Sequence, residues 1–255
     1  MLCLTPIVGD PLVDRSLVER IKFAKQIKQI DYIFLHTNLI GLEDFDLKDL
    51  LRSGLDAINV STCVASKEMY ARTFGVDRYD SVVQNLETLR ANRRLNDRLK
   101  VTIHVRADKP YARITSSPTY RRIVKQYGRE ACHIEHQYDN WTGFINEDDL
   151  PRHHTFAHVR DVSEPCSELY NGMIVFLNGD VGVCSRRDLE AELVIGNIHE
   201  SSLEDIWRGE KLHTIRNQWL KDNIPTICRR CCCYTPLSRF ITYSRTGISR
   251  MERKG

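Results

Sequence analysis

"DYIFLHTNLIGLEDFDLKDLLRSGLDAINVST", residues 31–62, contains one complete cycle of the pattern on which the fold rests. Two β-like runs, 31–37 and 55–62, enclose "DLKDLLRSG" (46–54), which stops on Gly54 as a helix C-terminus would. Strand, helix and strand in this order read as a βαβ unit, two parallel neighbours joined by a crossover helix. The pattern recurs on both sides. Upstream, "LCLTPIV" (2–8) precedes "RSLVERIKFAKQIKQI" (15–30), whose Leu17, Ile21, Ala24 and Ile27 follow helical spacing. Downstream, "EMYARTFG" and "YDSVVQNLETLRANRR" lead to the β-branched run "KVTIHVRA" (100–107), with a helical segment around 117–129 after it. The strands read as apolar on both faces, as in sheets covered by helices. In such sheets and barrels chemistry gathers at the C-terminal ends of the strands. Those ends carry "TPIVGDP", "HTNL", "VSTC" and "HVRAD", each polar where a buried strand meets its loop.

Beyond residue 130 the texture changes. Residues 131–165 have little period and read as a connection between an N-terminal domain, 1–130, and a second one, 166–235. The second opens with "CSELYNGMIVFLNGDVGVC" (166–184), in which two β runs meet at Asn178-Gly179, a hairpin signal. "IGNI" follows, then "SSLEDIW", with Ser201 and Glu204 spaced as a capping box. "KLHTIRNQWLKD" is a further helical pattern ending before Pro225, and 236–255 is a polar tail. The expected class is α/β with a small cysteine-rich α+β domain at its C-terminal side.

The 255 residues are 42% hydrophobic and 28% charged, enough for a sizeable core plus a satellite domain. A net charge of +3 without a basic stripe of interleaved aromatics argues against a nucleic-acid partner. "LRANRRLNDRLK" (89–100) reads as a solvated helix end. No stretch approaches the ~20 apolar residues of a membrane span, and "MLCLTPIVGDPLVD" lacks the form of a signal peptide. A cytoplasmic setting is expected, where nine cysteines are better explained by metal binding or burial than by disulfides.

Four of them, Cys166, Cys184, Cys228 and Cys231, stand in a C-x17-C-x43-C-x2-C arrangement. The C-x2-C pair lets two thiolates converge from a tight loop, and the hairpin brings two more alongside. Thiolate softness suits zinc or an iron–sulfur cluster, and spacing alone does not separate the two. Cys232 and Cys233 are spares or alternative fourth ligands, since adjacent residues rarely both reach one metal. Cys3, Cys63 and Cys132 read as buried core thiols. "HIEH" (133–136) and "RHHTFAH" (152–158) lack the carboxylate spacing of zinc hydrolase motifs and read as solvated or locally hydrogen-bonded. Tyr138, Asp139, Trp141 and Gly143 read either as a substrate-pocket lining or as a packed linker.

The order Cys166–Gly179–Cys184, "IGNIHESSLEDIWRGE" and "IPTICRRCCCY" closely resembles the SPASM/twitch auxiliary-cluster domain of radical S-adenosylmethionine enzymes, in its shorter one-cluster form. The first half is similar to that family's partial (β/α) barrel. The resemblance implies an auxiliary [4Fe–4S] cluster on the four cysteines. It also implies S-adenosylmethionine contacts at Gly9, Asp10 (where the family has Glu), Thr37, Asn38 and Ser61, with Arg106 as a candidate contact to cofactor or substrate. It implies a peptide, protein or small carbohydrate-like substrate and a reducing donor such as flavodoxin or ferredoxin. The family's C-x3-C-x2-C, which holds a second, catalytic [4Fe–4S] cluster, does not occur in the 255 residues. The chain therefore reads as starting within the second strand, an N-terminally truncated enzyme. The alternative is a degenerate or split protein, or a non-catalytic zinc- or cluster-stabilised binding protein.

Overall fold

A computed structural model describes residues 1–150, 154–156, 162 and 164–239. Two compact units divide the chain. The first comprises Met1–His136 with Leu150–His154, the second Gln137–Asp149 with the chain from Thr155 onward.

In the first unit the βα alternation forms one sheet. Its elements are β1 (Leu2–Cys3), α1 (Leu17–Lys25), β2 (Ile33–Thr37), α2 (Leu47–Arg52), β3 (Ala57–Thr62), α3 (Lys67–Phe74) and α4 (Tyr79–Ala91). After them come β4 (Lys100–Arg106), α5 (Tyr111–Thr115), α6 (Pro118–Tyr127) and β5 (Cys132–Glu135). The five strands pair in chain order β1-β2-β3-β4-β5, every pair parallel. Each crossover is short and marked locally. Asp46 caps α2 by accepting the Asp49 N–H, Ser66 caps α3 through Met69, and Ser117 caps α6 through Tyr120 with Pro118 at its first position. Gly54 and Gly75 follow their helices with φ of 100° and 71°, left-handed values that favour glycine.

Three expectations change in this unit. The run 2–8 contributes only Leu2–Cys3 as strand, because Pro6 has no N–H for the ladder. The stripe of α1 holds for Leu17, Ile21 and Ala24, but the helix ends at Lys25 and Ile27 lies beyond it, 37% exposed. The strands are not apolar on both faces. Alternation places Leu35, Ile58, Val60, Ile103 and Val105 against the helices, all buried. The other face carries polar rows set by the register, His36–Asn59–Thr102, Ser61–His104–His133 and Arg106–Glu135. Val, Ile and Ala at alternate positions hide the polar set from a run-based reading. The outermost row continues onto β5, so Cys132–Glu135, read as part of the connecting segment, is sheet.

The second unit begins with β6 (Gln137–Tyr138), which pairs in parallel with β7 (Thr155–Phe156). It continues with α7 (Glu168–Asn171), β8 (Ile174–Val175), β9 (Asp180–Gly182), β10 (Val194–Asn197), α8 (Leu203–Arg208), α9 (Glu210–Leu220) and α10 (Thr226–Arg229). The antiparallel sheet runs β10-β9-β8. A second core of Leu169, Val181, Val183, Leu193, Ile195, Ile206, Leu212, Trp219, Ile224 and Ile227 sits beneath it. The capping pair is one residue later than the sequence reading. Ser202 accepts the Asp205 N–H and donates to the Asp205 carboxylate. Both Ser201–Glu204 and Ser202–Asp205 satisfy the pattern; burial of Ile206 against Gly196 selects the second.

Among the described residues no helix is long and apolar enough to cross a membrane. His153 and His158, and the tail from 240, lie outside the described residues.

Candidate metal centre

The four spaced cysteines arrive on three local devices. Cys166 opens α7 and bridges in antiparallel fashion to Pro236, with the next residue, Ser167, donating its N–H to Thr235 at 2.8 Å. Cys184 follows β9. The β8–β9 hairpin closes through Gly179, whose φ is 87°, with Asn178 and Asp180 exchanging side-chain and backbone hydrogen bonds. Cys228 and Cys231 flank the end of α10, a single turn begun at Pro225. Cys228 N–H donates to the Pro225 carbonyl and Cys231 N–H to that of Cys228, at 2.9 and 3.3 Å.

These devices bring Cys166, Cys184, Cys228 and Cys231 to the wall of one pocket, together with Cys233. The rest of the wall includes Leu169, Val183, Leu193, Trp219 and Ile227 from the second core. Cys232 does not line it; its Sγ accepts the Asn140 N–H at 3.0 Å. The electrostatics report the same convergence. Burial pushes the thiols of Cys166 and Cys184 up, and that of Cys231 up to about 12. Cys228 is held well above the thiol range, first by burial and then by the charges of Cys166, Cys184 and Cys231. A site that resists four bare thiolates so strongly fits a cationic guest that supplies the compensating charge.

Glu168, Arg186 and Asp188, around this wall, were not anticipated. Glu168, 9% exposed, accepts from Ser185 Oγ at 3.0 Å and Arg186 Nε at 3.1 Å, and both Glu168 and Arg186 line the pocket. Asp188, with no exposed surface, accepts the N–H groups of Glu192 and Leu193 at 2.8 and 2.9 Å and so fixes the loop from Cys184 to β10. Asp139 pairs with Arg187 and accepts from the Cys233 thiol at 2.7 Å. Burial raises its pKa, but the Cys233 bond and the Arg187 charge outweigh this and hold the carboxyl below its usual range. Asp139, of the stretch left open as pocket or linker, thus contacts the cysteine run itself. The one sequence cue was "SRRD", a charged run directly after Cys184 in an otherwise apolar hairpin.

The cofactor candidates fall into two linked groups in the first unit. Asp10 accepts from Thr37 Oγ1 at 2.8 Å, from Asn38 N–H at 2.6 Å and from Leu12 N–H at 2.9 Å. Gly9, beside it, has φ of 113°. Separately, Arg106 Nε donates to Ser61 Oγ at 2.7 Å. Sequence reasoning missed His104. Its Nδ1 lies 2.6 Å from Glu135 Oε1, and its ring stacks on His133 at 5.7 Å. His133 and Glu135 thus lie on a strand, in place of the irregular region expected for "HIEH".

Parts of this chain are similar to known proteins. Residues 166–232 match the family model SPASM, an iron–sulfur cluster-binding domain. A probable GTP 3',8-cyclase of Saccharolobus islandicus (strain Y.N.15.51 / Yellowstone #2) is 36% identical over 80 residues, 31% of this chain. A GTP 3',8-cyclase of Chlorobaculum tepidum is 32% identical over 91 residues, 36% of this chain. The matched region spans 25% and 27% of those relatives. Among solved structures, BtrN in complex with AdoMet and 2-DOIA shares the fold with a TM-score of 0.55. That likeness covers 93% of this chain and 75% of that one at 15% identity. Residues 166–232 thus carry the pattern of a SPASM iron–sulfur cluster-binding domain, and the chain, with its five-stranded parallel sheet, shares the fold of BtrN.

Proposed function

We propose that Cys166, Cys184, Cys228 and Cys231 hold an auxiliary [4Fe–4S] cluster. The supporting observation is their convergence, from three separated segments, on one pocket. Spacing favours a cluster over a single ion. Zinc with Zn–S bonds of about 2.3 Å draws its sulfurs to roughly 3.8 Å apart. Among the described residues, the only three such donor atoms all within 4.8 Å of one another belong to Asp139, Cys232 and Cys233, not to the four pocket cysteines. Bound there, the cluster supplies one-electron transfer. The chain's own residues bury it, pair Glu168 with Arg186 at its wall, and leave it no open position for a substrate.

The reading extends to the whole protein: a radical S-adenosylmethionine oxidoreductase or maturase acting on a peptide, protein or carbohydrate-like substrate, with a flavodoxin- or ferredoxin-type donor. In it Gly9, Asp10, Thr37, Asn38 and Ser61 hold S-adenosylmethionine, with Arg106 beside Ser61. Asp10 is a carboxylate with roughly four acceptor sites, and its three donors at Leu12, Thr37 and Asn38 leave capacity for a ligand ammonium. The 255 residues include no C-x3-C-x2-C set to hold a catalytic cluster.

The test is anaerobic reconstitution with iron and sulfide. About four irons with matching sulfide per chain are expected, lost on Cys228→Ala. A pocket that takes a zinc removed by Cys228→Ala, and no sulfide, overturns the proposal.

A further inference from the structure

Asp139, Cys232 and Cys233 are not needed for the four-thiolate pocket, yet their donor atoms lie closer together than any other described set of three. Cys233 Sγ is 2.7 Å and Cys232 Sγ 3.4 Å from the Asp139 carboxylate. The sequence reading gave adjacent cysteines little prospect of sharing one ion. Here the turn after Cys231 sets both sulfurs toward one carboxylate.

We propose that Asp139, Cys232 and Cys233 form a mononuclear site for a thiophilic divalent cation, zinc by class, beside the cluster pocket whose wall Cys233 also lines.

Two sulfurs and one carboxylate oxygen make a donor set that suits zinc and disfavours magnesium or calcium. Three protein ligands leave a fourth tetrahedral position for water. The surroundings supply the supporting bonds that metal ligands require. Asn140 N–H donates to Cys232 Sγ, and Trp141 N–H to Asp139 Oδ1 at 2.8 Å. Arg187 pairs with Oδ2 and stacks its guanidinium on Trp141 at 4.3 Å. Charge closes as well. Two thiolates and a carboxylate carry three negative charges, balanced by a divalent cation and Arg187. Without the ion a thiol proton bridges Cys233 and Asp139; binding releases the two thiol protons to solvent and involves no redox change. The carboxylate is presented by a strained loop. Trp141 and Thr142 both have left-handed φ, 48° and 57°, and Asn140 ties the loop to Arg230 through a 2.9 Å bond. Non-glycine residues persist in this region where the surrounding structure over-determines them.

The test measures zinc and iron separately on the full chain, by elemental analysis after anaerobic reconstitution and dialysis. Cobalt(II) serves as an optical probe through its sulfur-to-metal charge-transfer band. One zinc per chain is expected, retained in Cys228→Ala whatever happens to iron there, and lost in Cys232→Ala/Cys233→Ala. Asp139→Asn, which preserves side-chain shape, weakens zinc binding about tenfold or more with the iron content unchanged. Two results overturn the proposal: no zinc and no cobalt band in the wild-type chain, or zinc unaffected by Cys232→Ala/Cys233→Ala. Zinc lost with Cys228→Ala and kept in the double variant also overturns it, because the ion then sits in the cluster pocket.

Discussion

Replacing Asp188 with alanine removes the buried carboxylate that anchors the chain between Cys184 and β10. Two hydrogen bonds go with it. The Leu193 N–H is buried and has no water to turn to, which costs about 1–3 kcal/mol. The Glu192 N–H can be hydrated, so its loss is about 1 kcal/mol. The sum is about 2–4 kcal/mol of the stability of the second unit. Urea denaturation read by tryptophan fluorescence isolates this unit, because all 3 tryptophans, Trp141, Trp207 and Trp219, belong to it. With a slope of about 2 kcal/mol/M the midpoint falls by about 1–2 M. Asp188→Asn, which still offers one acceptor oxygen, falls by about half as much. The reasoning also requires a cluster effect: the loosened loop carries Cys184, so the alanine variant releases iron to a chelator faster than wild type. A midpoint shift below about 0.2 M, with unchanged iron release, refutes the view that Asp188 positions the Cys184 wall.

Three further outcomes follow from other parts of the structure. A Cβ on Gly196 meets Ile206 Cγ1 at 2.7 Å, so Gly196→Ala costs about 1–3 kcal/mol by overpacking, and the smaller Ile206→Val recovers part of it in the same urea assay. The folded-state thiol pKa of Cys231 is raised from 9.0 to about 12. The metal-free unit therefore binds more protons folded than unfolded in that window and loses stability as pH rises through it, while below pH 9 the contribution is intact. Melts of the metal-free chain from about pH 8, below the unfolded value, to about pH 11, inside the window, show this fall, and the cluster-loaded chain, whose thiols are already deprotonated, does not. Asp10→Ala exposes the Leu12 and Asn38 amides to faster hydrogen exchange by removing their shared acceptor, and leaves the tryptophan-reported transition unchanged.

Local signals were legible where one segment carries its own reason. Gly54 and Gly75 end their helices because the left-handed region excludes most side chains, and the Asn178-Gly179 turn closes its hairpin on the same ground. The C-x2-C pair sits on one short turn because Pro225 starts it and four residues complete it. Strand and helix alternation predicts parallel neighbours for β1 to β4, whereas the strand order and the place of β5 beside β4 came only with the structure. By contrast, Ser202 in place of Ser201 as the cap was decided by the side chain of Ile206 meeting Gly196, a contact between segments. The polar rows across β2 to β5 needed the register, since a single strand of mixed Val, Ile and Ala does not show which face its His and Ser will share.

What the sequence by itself determined, then, are the periodic elements, their caps and turns, and the spacing that puts cysteines at the edges of a hairpin and a tight helical turn. Only the tertiary structure decided that Asp188 ties the Cys184 loop to β10, that Glu168 and Arg186 share the wall with four thiols, and that Asp139 reaches Cys233 across 94 positions of chain. The physical reason is range. Backbone dihedrals and hydrogen bonds within a turn are properties of neighbouring residues. A buried carboxylate finds its donors only after distant segments have packed and excluded the water that would otherwise have satisfied it.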